Sequence, residues 1–379
     1  MKKIIFLQIK GKSLGGVWFV NKTLADGFMK KGYEVKILSI RNEHPGDDIE
    51  ASFDIEVVNE KDMWDRTHKG DVVRAFGHKN FFQILKKYFV DKKRLNKDYE
   101  LMKEKIREYE PDYIFASHYE TLKGVPSEYL FKVMFVQHSS FHYLLKDKNN
   151  VRVLKKLNNK IHGFYWLSKS AMKAASDFGY KKNNYIYNPV RFSVLDKADV
   201  INNKKIVVIS RISYEKRIDL MIKIVNEVFK NSAFNNWKFE IYGIGEFSSE
   251  TKVILKNSKQ IFYKGVTDNP KDILLTGSLT LNTSLYEGFS LSVIEGFECG
   301  LPIISFNFGE AAYEQIIDNS NGFVAKDEDE FKKYLSLLMS DEKLLSKLSD
   351  GAKEFAKKFE IDNIISNWEN VFLEIDKSR

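Results

Sequence analysis

The sequence contains one cysteine, Cys299, which excludes a disulfide framework and any multi-cysteine zinc or iron–sulfur site. It contains only 6 prolines in 379 residues and shows no internal repeat, which excludes collagen-like and proline-rich chains. No apolar run approaches the ~18 residues of a transmembrane helix. The apolar run near the start breaks at Lys10, too early for a signal peptide. We therefore expect a protein of a reducing compartment, the cytoplasm.

The balance of residue types is that of a soluble globular protein. Hydrophobic residues make up 43% of the chain and charged residues 30%, and the length suits about two domains. The 60 Lys and Arg exceed the 52 Asp and Glu, so the formal net charge is +8. This excess favours an anionic partner: nucleic acid, a phosphorylated substrate or acidic lipid. No recognition motif accompanies the charge, so we expect no nucleic acid.

Strand and helix patterns alternate in both halves of the chain. The strand Lys3–Ile9, the helix Val17–Lys31 and the strand Glu34–Ile40 form one strand–helix–strand unit, and the pattern restarts at the strand Lys205–Ser210. This pattern predicts two doubly wound α/β domains, with ligands expected in a cleft beyond the carboxyl ends of their strands. The predicted acceptor-side domain covers residues 1–190 and is followed by a linker, 191–204. The predicted nucleotide-sugar domain covers 205–360, and a last helix, 361–379, is predicted to return toward the first domain.

The most informative segment is Tyr286–Pro302, with the sequence YEGFSLSVIEGFECGLP. Its Glu287 follows a predicted strand, and Glu295 lies eight residues later on a helix that is predicted to begin near Ser292. The backbone amides from Gly288 onward lie at the start of that helix, where unpaired N–H groups attract anions or hydroxyl oxygens. Carboxylates so placed suit two groups of one extended ligand, such as a sugar and a ribose. One capping glutamate and one surface glutamate are the alternative interpretation.

A second element, Ser210–Lys216, follows the first strand of the second half. Arg211 and Lys216 are predicted at the carboxyl end of that strand and just before the next helix, where a guanidinium and an ammonium group suit a diphosphate. Two solvated basic side chains are the alternative interpretation. Gly15 and Gly16, between the first strand and the first helix, permit close approach of the backbone to a phosphate.

Together these elements resemble the retaining GT-B glycosyltransferases of family four, the group one glycosyltransferases. The resemblance covers the whole chain in architecture and is strongest over Lys205–Phe323. Its specific part is a Glu, seven residues and a second Glu, followed by Cys-Gly-Leu-Pro. It implies the GT-B fold, two Rossmann-like domains facing a cleft. It also implies that the chain moves a sugar from a nucleotide diphosphate donor, for which we expect a UDP-sugar, to an acceptor hydroxyl.

The resemblance implies a role for each matching residue. Arg211 and Lys216 bind the donor diphosphate, Glu287 contacts the donor sugar, and Glu295 contacts the nucleotide ribose. The further donor-binding residues are those of the glycine loop and of the helix start: Gly15, Gly16, Gly288, Phe289, Ser290 and Leu291. Ser210 and Arg217 stand where the family carries glycine, which leaves the fine geometry of this loop open.

His138 falls at a predicted strand end, where enzymes of this family often carry an active-site histidine near the sugar. A hydrogen-bonded histidine without a catalytic role is the alternative interpretation. We expect neither metal nor organic cofactor. Of the seven histidines only His138 and His142 have the H-x-x-x-H spacing, and two ligands alone do not complete a metal site. The sequence Asp327-Glu-Asp329 imitates a metal-binding D-x-D element, but its place before a helix predicts an N-cap.

Residues 79–97 are predicted to form a basic, aromatic amphipathic helix with seven Lys and Arg against one Asp. One interpretation is contact with an anionic membrane surface, which makes the protein peripheral on the inner face of the cell membrane. The other is an ordinary helix whose apolar face packs on the first domain.

The expected function is therefore glycosyl transfer onto a cell-surface glycan, a teichoic acid or a glycolipid precursor. The Lys-, Asn-, Ile- and Phe-rich composition suggests a bacterial source with an AT-rich genome. The alternative is a non-catalytic partner with the same fold, which binds acceptor or stabilises an active subunit. The presence of Arg211, Lys216, Glu287 and Glu295 together argues against that alternative, since a dead site has no need of all four.

Overall fold

The structure, a computed structural model, describes residues 1–10, 15–41, 53–59 and 81–377, with the backbone alone at residues 10, 41, 59 and 81–94. The N-terminal domain is built on a parallel sheet of seven strands in the order β3-β2-β1-β4-β5-β6-β7. The strands are β1 (Lys3–Lys10), β2 (Glu34–Arg41), β3 (Asp54–Asn59), β4 (Tyr113–Ala116), β5 (Val133–Val136), β6 (Gly163–Trp166) and β7 (Asn183–Tyr185). The helices described in this domain are α1 (Gly16–Lys30), α2 (Phe81–Tyr109), α3 (Phe141–Leu145), α4 (Lys148–Leu157) and α5 (Lys169–Asp177).

The C-terminal domain carries a second parallel sheet. Two three-stranded segments, β10-β9-β8 and β11-β12-β13, are joined where the Val207 N–H donates to the Leu279 carbonyl oxygen at 3.1 Å. The strands are β8 (Lys205–Ile209), β9 (Lys238–Tyr242), β10 (Ile261–Gly265), β11 (Thr280–Asn282), β12 (Ile303–Phe306) and β13 (Gly322–Ala325). The helices are α6 (Ile218–Val228), α7 (Ser249–Asn257), α8 (Pro270–Leu275), α9 (Leu291–Glu298), α10 (Ala312–Gln315), α11 (Glu328–Ser340), α12 (Glu342–Ala356) and α13 (Ile361–Lys377).

Both sheets reverse their strand order at one point, between β1 and β4 in the first and between β8 and β11 in the second. In a doubly wound sheet the loops on either side of such a reversal turn away from each other and leave a crevice at the carboxyl ends of the strands. The predicted fold class, two doubly wound domains facing a cleft, is confirmed. The fold thus marks the loops after β1, β4, β8 and β11 as the place for a ligand.

The last helix, α13, lies against the N-terminal sheet. Phe372 stacks on Tyr113 with ring centroids 3.9 Å apart, and Trp368 meets Phe115 edge-on at 4.8 Å. The Tyr113 hydroxyl donates to the Asp376 carboxylate at 2.8 Å. Because Phe372 and Trp368 are only 2% exposed, each contributes on the order of 1.5–3 kcal/mol to this packing.

The two domains also touch beside the cleft. The Glu314 carboxylate of the C-terminal domain accepts hydrogen bonds from the backbone N–H groups of Lys169 and Ser170, at 2.9 and 2.7 Å. These amides belong to the first turn of α5, where helix N–H groups have no partner within the helix. A carboxylate is favoured there, so this contact stabilises the observed arrangement of the domains.

The predicted basic helix at 79–97 is only partly covered by the description. Helix α2 begins at Phe81 and includes most of it, while residues 79 and 80 lie outside the described residues, as do the side chains of 81–94. Membrane contact through this segment therefore stays a prediction. In the described ranges, no helix has both the length and the hydropathy needed to cross a membrane.

Candidate active site

The loops after β8 and β11 lie side by side, because these strands are neighbours at the reversal point. The loop after β8 carries Arg211 and Lys216, and the loop after β11 carries Glu287. The Thr283 hydroxyl donates to the carbonyl oxygen of Lys216 at 2.8 Å, and the Leu285 N–H donates to the carbonyl oxygen of Glu215 at 2.8 Å. The two predicted elements, 70 or more residues apart in sequence, are therefore joined by hydrogen bonds between their loops.

Two glycines after β9 support the loop that carries Arg211. Gly243 and Gly245 have φ angles of +147° and +141°, in the region that favours glycine. A Cβ atom at Gly243 would fall 2.7 Å from the carbonyl carbon of Ser210, and one at Gly245 would fall 2.8 Å from that of Ile212. The backbone of this turn thus packs directly against the Arg211 loop. Sequence reasoning missed this role; the two glycines at a strand end were the available signal.

Arg217, which replaces a glycine of the resembled family, adopts the left-handed conformation with φ +50°. Such a conformation is unfavourable for a non-glycine residue and needs support from its surroundings. Its Nε donates to the Thr283 carbonyl oxygen at 2.6 Å, and its guanidinium lies 5.1 Å from the centre of the Phe306 ring. Desolvation lowers the pKa of Arg217 from its ordinary value. The side chain therefore anchors the turn that a glycine would form without strain.

The ammonium group of Lys216 and the carboxylate of Glu287 form the centre of the site. The Lys216 Nζ lies 2.8 Å from the Glu287 Oε1, and the two side chains are only 19% and 11% exposed. The hydroxyls of Ser284 and Ser290 donate to the same oxygen at 2.7 and 3.3 Å. Among the described residues, every hydrogen bond and ion pair of this carboxylate goes to Oε1, so Oε2 can accept from a ligand hydroxyl. The charges are close and mostly desolvated, which strengthens their interaction.

Arg211 is placed differently. Its guanidinium is 60% exposed and lies 3.1 Å from the Glu215 carboxylate, one helical turn away in sequence. An exposed ion pair of this kind is worth little in water. The side chain can therefore leave Glu215 for a stronger anion at small cost, as a diphosphate-binding residue must.

Glu295 forms an ion pair of its own and takes no part in the Lys216–Glu287 pair. Its carboxylate is 4% exposed and forms a two-point ion pair with Arg191, whose Nη2 donates to Oε2 at 2.8 Å and whose Nε donates to Oε1. The Arg191 guanidinium also lies 4.5 Å from the centre of the Phe19 ring on α1. Sequence reasoning placed Arg191 in a linker and missed this contact, because 104 residues separate the partners. The ribose role of Glu295 stays a prediction.

The segment after Glu287 meets the opposite domain. A Cβ atom at Gly288 would fall 2.7 Å from the Ser139 carbonyl carbon and closer still to the His138 carbonyl oxygen, so only glycine fits here. Phe289 is buried against Tyr187, with ring centroids 5.6 Å apart, so only its backbone can face a ligand.

The two residues that follow begin α9. The Ser290 N–H donates to the Gln315 side-chain oxygen at 3.0 Å, so this predicted donor amide already has a partner. Leu291 is the first residue of α9 and is half-buried.

The glycine loop of the N-terminal domain reaches the same place. Gly15 is the N-cap residue of α1, and Gly16 opens the helix. A Cβ atom at Gly16 would lie 3.5 Å from the Leu291 Cδ1, so the two domains approach each other here. Residues 11–14 of the predicted loop lie outside the described residues. Close approach of Gly15 and Gly16 to a phosphate stays a prediction.

His138 lies two residues beyond β5, on the N-terminal side of the cleft. Its Nε2 lies 3.3 Å from the Ser117 hydroxyl oxygen, at the end of the neighbouring strand β4. Loss of hydration lowers the pKa of His138 to about 4, although a small part of its surface is exposed. The imidazole is therefore neutral at pH 7 and can exchange a hydrogen bond with a sugar hydroxyl without adding charge.

This pKa predicts a specific dependence of stability on pH. The unfolded chain protonates His138 below about 6.5 and the folded chain only below about 4, so falling pH favours the unfolded state within that window. Replacing His138 by Gln is expected to reduce the loss of thermal stability between pH 6.5 and pH 4. The measurement is the melting temperature against pH, with His142→Gln, an exposed neighbour, as control. Parallel curves for His138→Gln and the parent would contradict the burial of this imidazole.

The structure also describes the predicted N-cap, the single cysteine and the arrangement of acidic and histidine side chains. The Asp327 carboxylate accepts from the Glu330 N–H at 2.9 Å and caps α11, as predicted. Cys299 is fully buried, and desolvation raises its pKa to about 12, which keeps the thiol protonated in a packing role. In the part of the chain that is described, no three His, Cys, Asp or Glu side chains are grouped to hold a metal ion.

The chain is similar to a known protein family and to solved structures. Residues 196–355 match the model of the family described as glycosyl transferases group 1, a range that includes Arg211, Lys216, Glu287 and Glu295. The crystal structure of a variant of TarM from Staphylococcus aureus, in complex with fondaparinux, α-GlcNAc-glycerol and UDP, is similar over 98% of this chain and 100% of that one. The TM-score is 0.75 at 16% identity, and the shared fold is GT-B.

Two curated relatives are similar in sequence. The poly(glycerol-phosphate) alpha-glucosyltransferase of Bacillus subtilis is 27% identical over 261 residues, which cover 66% of this chain and 38% of the relative. The poly(ribitol-phosphate) alpha-N-acetylglucosaminyltransferase of Staphylococcus aureus is 31% identical over 170 residues, which cover 43% and 34%. The chain therefore spans little more than a third of the length of these relatives.

Proposed function

We propose that this chain is a retaining glycosyltransferase that moves a sugar from a UDP-linked donor to a hydroxyl of a cell-surface glycan, a teichoic acid or a glycolipid precursor. The observation that carries this proposal is the desolvated pair of Lys216 and Glu287 at the reversal point of the C-terminal sheet. At this place the ammonium group of Lys216 can bind a diphosphate, and the carboxylate of Glu287 can accept a hydrogen bond from a sugar.

The diphosphate is the leaving group, and negative charge develops on its bridging oxygen as the glycosidic bond breaks. Lys216 is held in place by Glu287, and Arg211 can move from Glu215 to a phosphate. Cations fixed before reaction stabilise developing charge without reorganisation, which is the largest catalytic contribution in many enzymes. This role is proposed for Lys216, and Arg211 adds its charge once it has moved to the phosphate.

In the proposed step the acceptor oxygen attacks the anomeric carbon from the face that the diphosphate leaves. The bond from the anomeric carbon to the diphosphate breaks, and the acceptor proton passes to a departing phosphate oxygen. Glu287 is then no covalent nucleophile. Its Oε2 accepts from a sugar hydroxyl, and its charge favours the positive sugar ring that forms. The neutral His138, on the opposite wall, hydrogen-bonds the sugar.

The choice of donor and acceptor draws on the similar proteins. TarM is bound to UDP and to α-GlcNAc-glycerol in its structure, which supports a UDP-linked donor and a polyol acceptor. The names of both curated relatives specify a polyol phosphate polymer as the acceptor. Among the proposed acceptors, these names favour teichoic acid.

The test is UDP release by the purified chain from a panel of UDP-sugars, with and without polyol phosphate acceptor. We expect one UDP-sugar to be consumed slowly alone and faster with acceptor. A non-catalytic partner subunit would release no UDP from any of them.

Because Arg211 and Lys216 are proposed to neutralise the diphosphate, we expect activity to survive excess EDTA. Complete loss in EDTA, restored by Mn²⁺ or Mg²⁺, would contradict that part of the proposal.

A further inference from the structure

A second segment of the chain, besides residues 79–97, is strongly basic. Residues 146–182 contain ten Lys and Arg but only two Asp, a net charge of +8, which equals the formal charge of the whole chain. The remaining residues are therefore balanced in charge. A surface with this excess of positive charge attracts polyanions at long range, and that attraction weakens as salt increases.

The segment forms one continuous surface of the N-terminal domain. It contains α4, the buried strand β6 and α5, and it ends just before the edge strand β7. Helices α4 and α5 meet at their far ends, where the Asn158 side chain donates to the Gly179 carbonyl oxygen at 2.9 Å. The Lys181 N–H in turn donates to the Asn158 side-chain oxygen at 2.7 Å. The opposite end of this surface is at the cleft, because α5 begins at Lys169, beside the contact with Glu314.

The cations of this surface lack acidic partners. Throughout residues 146–182, all of which are described, no Lys or Arg forms an ion pair with a carboxylate, whereas Lys22, Lys36 and Lys105 of the same domain each do. Asp147 is used as the N-cap of α4, where its carboxylate accepts from the Asn149 and Asn150 N–H groups at 2.9 and 3.2 Å. The surface therefore presents cations to an external anion.

Helix α4 arranges three of these cations in a row. Lys148, Arg152 and Lys155 are four and three residues apart, so they lie on one face of the helix, about 6 and 4.5 Å apart along its axis. All three are exposed, while Leu154 on the other face is fully buried. A row of this kind suits an anion that repeats along a chain.

The row is connected to the active site through Lys146. Its Nζ lies 5.9 Å from the ring centre of Tyr143 and 5.6 Å from that of Tyr286. These rings stack across the cleft at 5.1 Å, and Tyr286 is the residue before Glu287. A polymer lying along α4 would therefore reach the site where the sugar is transferred.

A membrane surface fits this region less well. Between residues 146 and 182 the one large apolar side chain that is exposed is Phe178, at 38%, and the Lys155 ammonium lies 4.2 Å from its ring centre. Helices that lie in a membrane interface insert an apolar face, and α4 turns its apolar residues to the core. The region offers charge without apolar anchors.

We propose that residues 146–182 form a basic track that binds a polyanionic acceptor, a chain of polyols linked by phosphodiesters, and leads it to the cleft. This proposal rests on the proposed function for the identity of the reaction at the end of the track. It adds the place where the acceptor polymer binds outside the catalytic centre.

The test compares two triple variants with the same loss of charge. Lys148→Gln, Arg152→Gln and Lys155→Gln remove the row on α4, while Lys252→Gln, Lys256→Gln and Lys259→Gln remove exposed lysines of the C-terminal domain. Binding of a fluorescent poly(glycerol phosphate) oligomer is measured by anisotropy over a range of salt concentrations. We expect the α4 variant to bind about ten- to hundred-fold more weakly at low salt, with a smaller salt dependence, and the control to bind like the parent.

Three outcomes would overturn the track. Equal weakening in both variants would indicate a general charge effect, and unchanged binding in the α4 variant would place the acceptor elsewhere. Loss of binding to anionic vesicles in the α4 variant, with polymer binding intact, would assign the surface to a membrane.

The proposed function is judged separately by transfer to glycerol in the unmodified protein. If no transfer occurs but the α4 variant alone loses polymer binding, the track stands and the enzyme assignment fails.

Discussion

Replacement of Lys216 by Ala is expected to lower turnover of the donor by about 10²- to 10³-fold, the loss seen when one preorganised charge-stabilising group is removed. Lys216 is 19% exposed and lies 2.8 Å from Glu287, so its position is set before the donor binds. The variant also leaves a desolvated carboxylate beside the diphosphate site, where like charge opposes donor binding. Steady-state kinetics with the true donor measures this loss.

Arg211→Ala is expected to cut turnover strongly as well, with the same upper limit. Its guanidinium is exposed in the free protein and gains its full interaction only with the donor. Lys223→Ala is the matched control, because Lys223 lies on the helix that follows the same loop and pairs with the exposed Glu250. Near-native turnover in both Lys216→Ala and Arg211→Ala would remove the diphosphate assignment.

The two glutamates are expected to affect different kinetic constants. Glu287 is proposed to contact the sugar, which gains positive charge in the transition state, so Glu287→Gln should mainly lower kcat. Glu295 is proposed to contact the ribose, which changes little during reaction, so Glu295→Gln should mainly raise KM. Gln keeps the shape of Glu and removes its charge. Reversed effects would exchange the two roles.

The ion pair with Arg191 adds a second expectation for Glu295→Gln. Arg191 is 21% exposed and would lose its charged partner, at a cost of about 1–3 kcal/mol of folding free energy. The melting temperature should therefore fall together with the rise in KM. A double-mutant cycle of Arg191→Met with Glu295→Gln measures this coupling. A fall in stability with KM unchanged would make Glu295 a structural residue that holds Arg191 and Phe19 to α9.

Local patterns were sufficient for the parts of the site that lie within one segment. Glu287 and Lys216 were identified from their places after predicted strands, and the structure brings them together because β8 and β11 are adjacent. The same patterns predicted the bounds of β1, β2 and β8 to within one residue. They missed β7, Asn183–Tyr185, because this edge strand is short and polar and lacks the alternation that marks a strand.

Contacts between distant segments could not be predicted in this way. The partner of Glu295 is 104 residues away, and the stacked Tyr143 and Tyr286 belong to different domains. Nothing in the local sequence marks these residues as partners, so both contacts become visible only in the folded chain. Residues 146–182 illustrate a different difficulty. Their charges can be counted in the sequence, but whether they form a surface that reaches the cleft depends on how α4 and α5 pack.

The most direct test of retaining transfer at the Lys216–Glu287 centre is the anomeric configuration of the product. The purified chain is incubated with the consumed UDP-sugar and a polyol phosphate acceptor, and the reaction is followed by proton NMR. We expect a new α-linked sugar signal from the α-linked donor, growing as UDP accumulates and growing about 10²- to 10³-fold more slowly with Lys216→Ala. A β-linked product would contradict retention. An α-linked product formed equally well by Lys216→Ala would contradict the site.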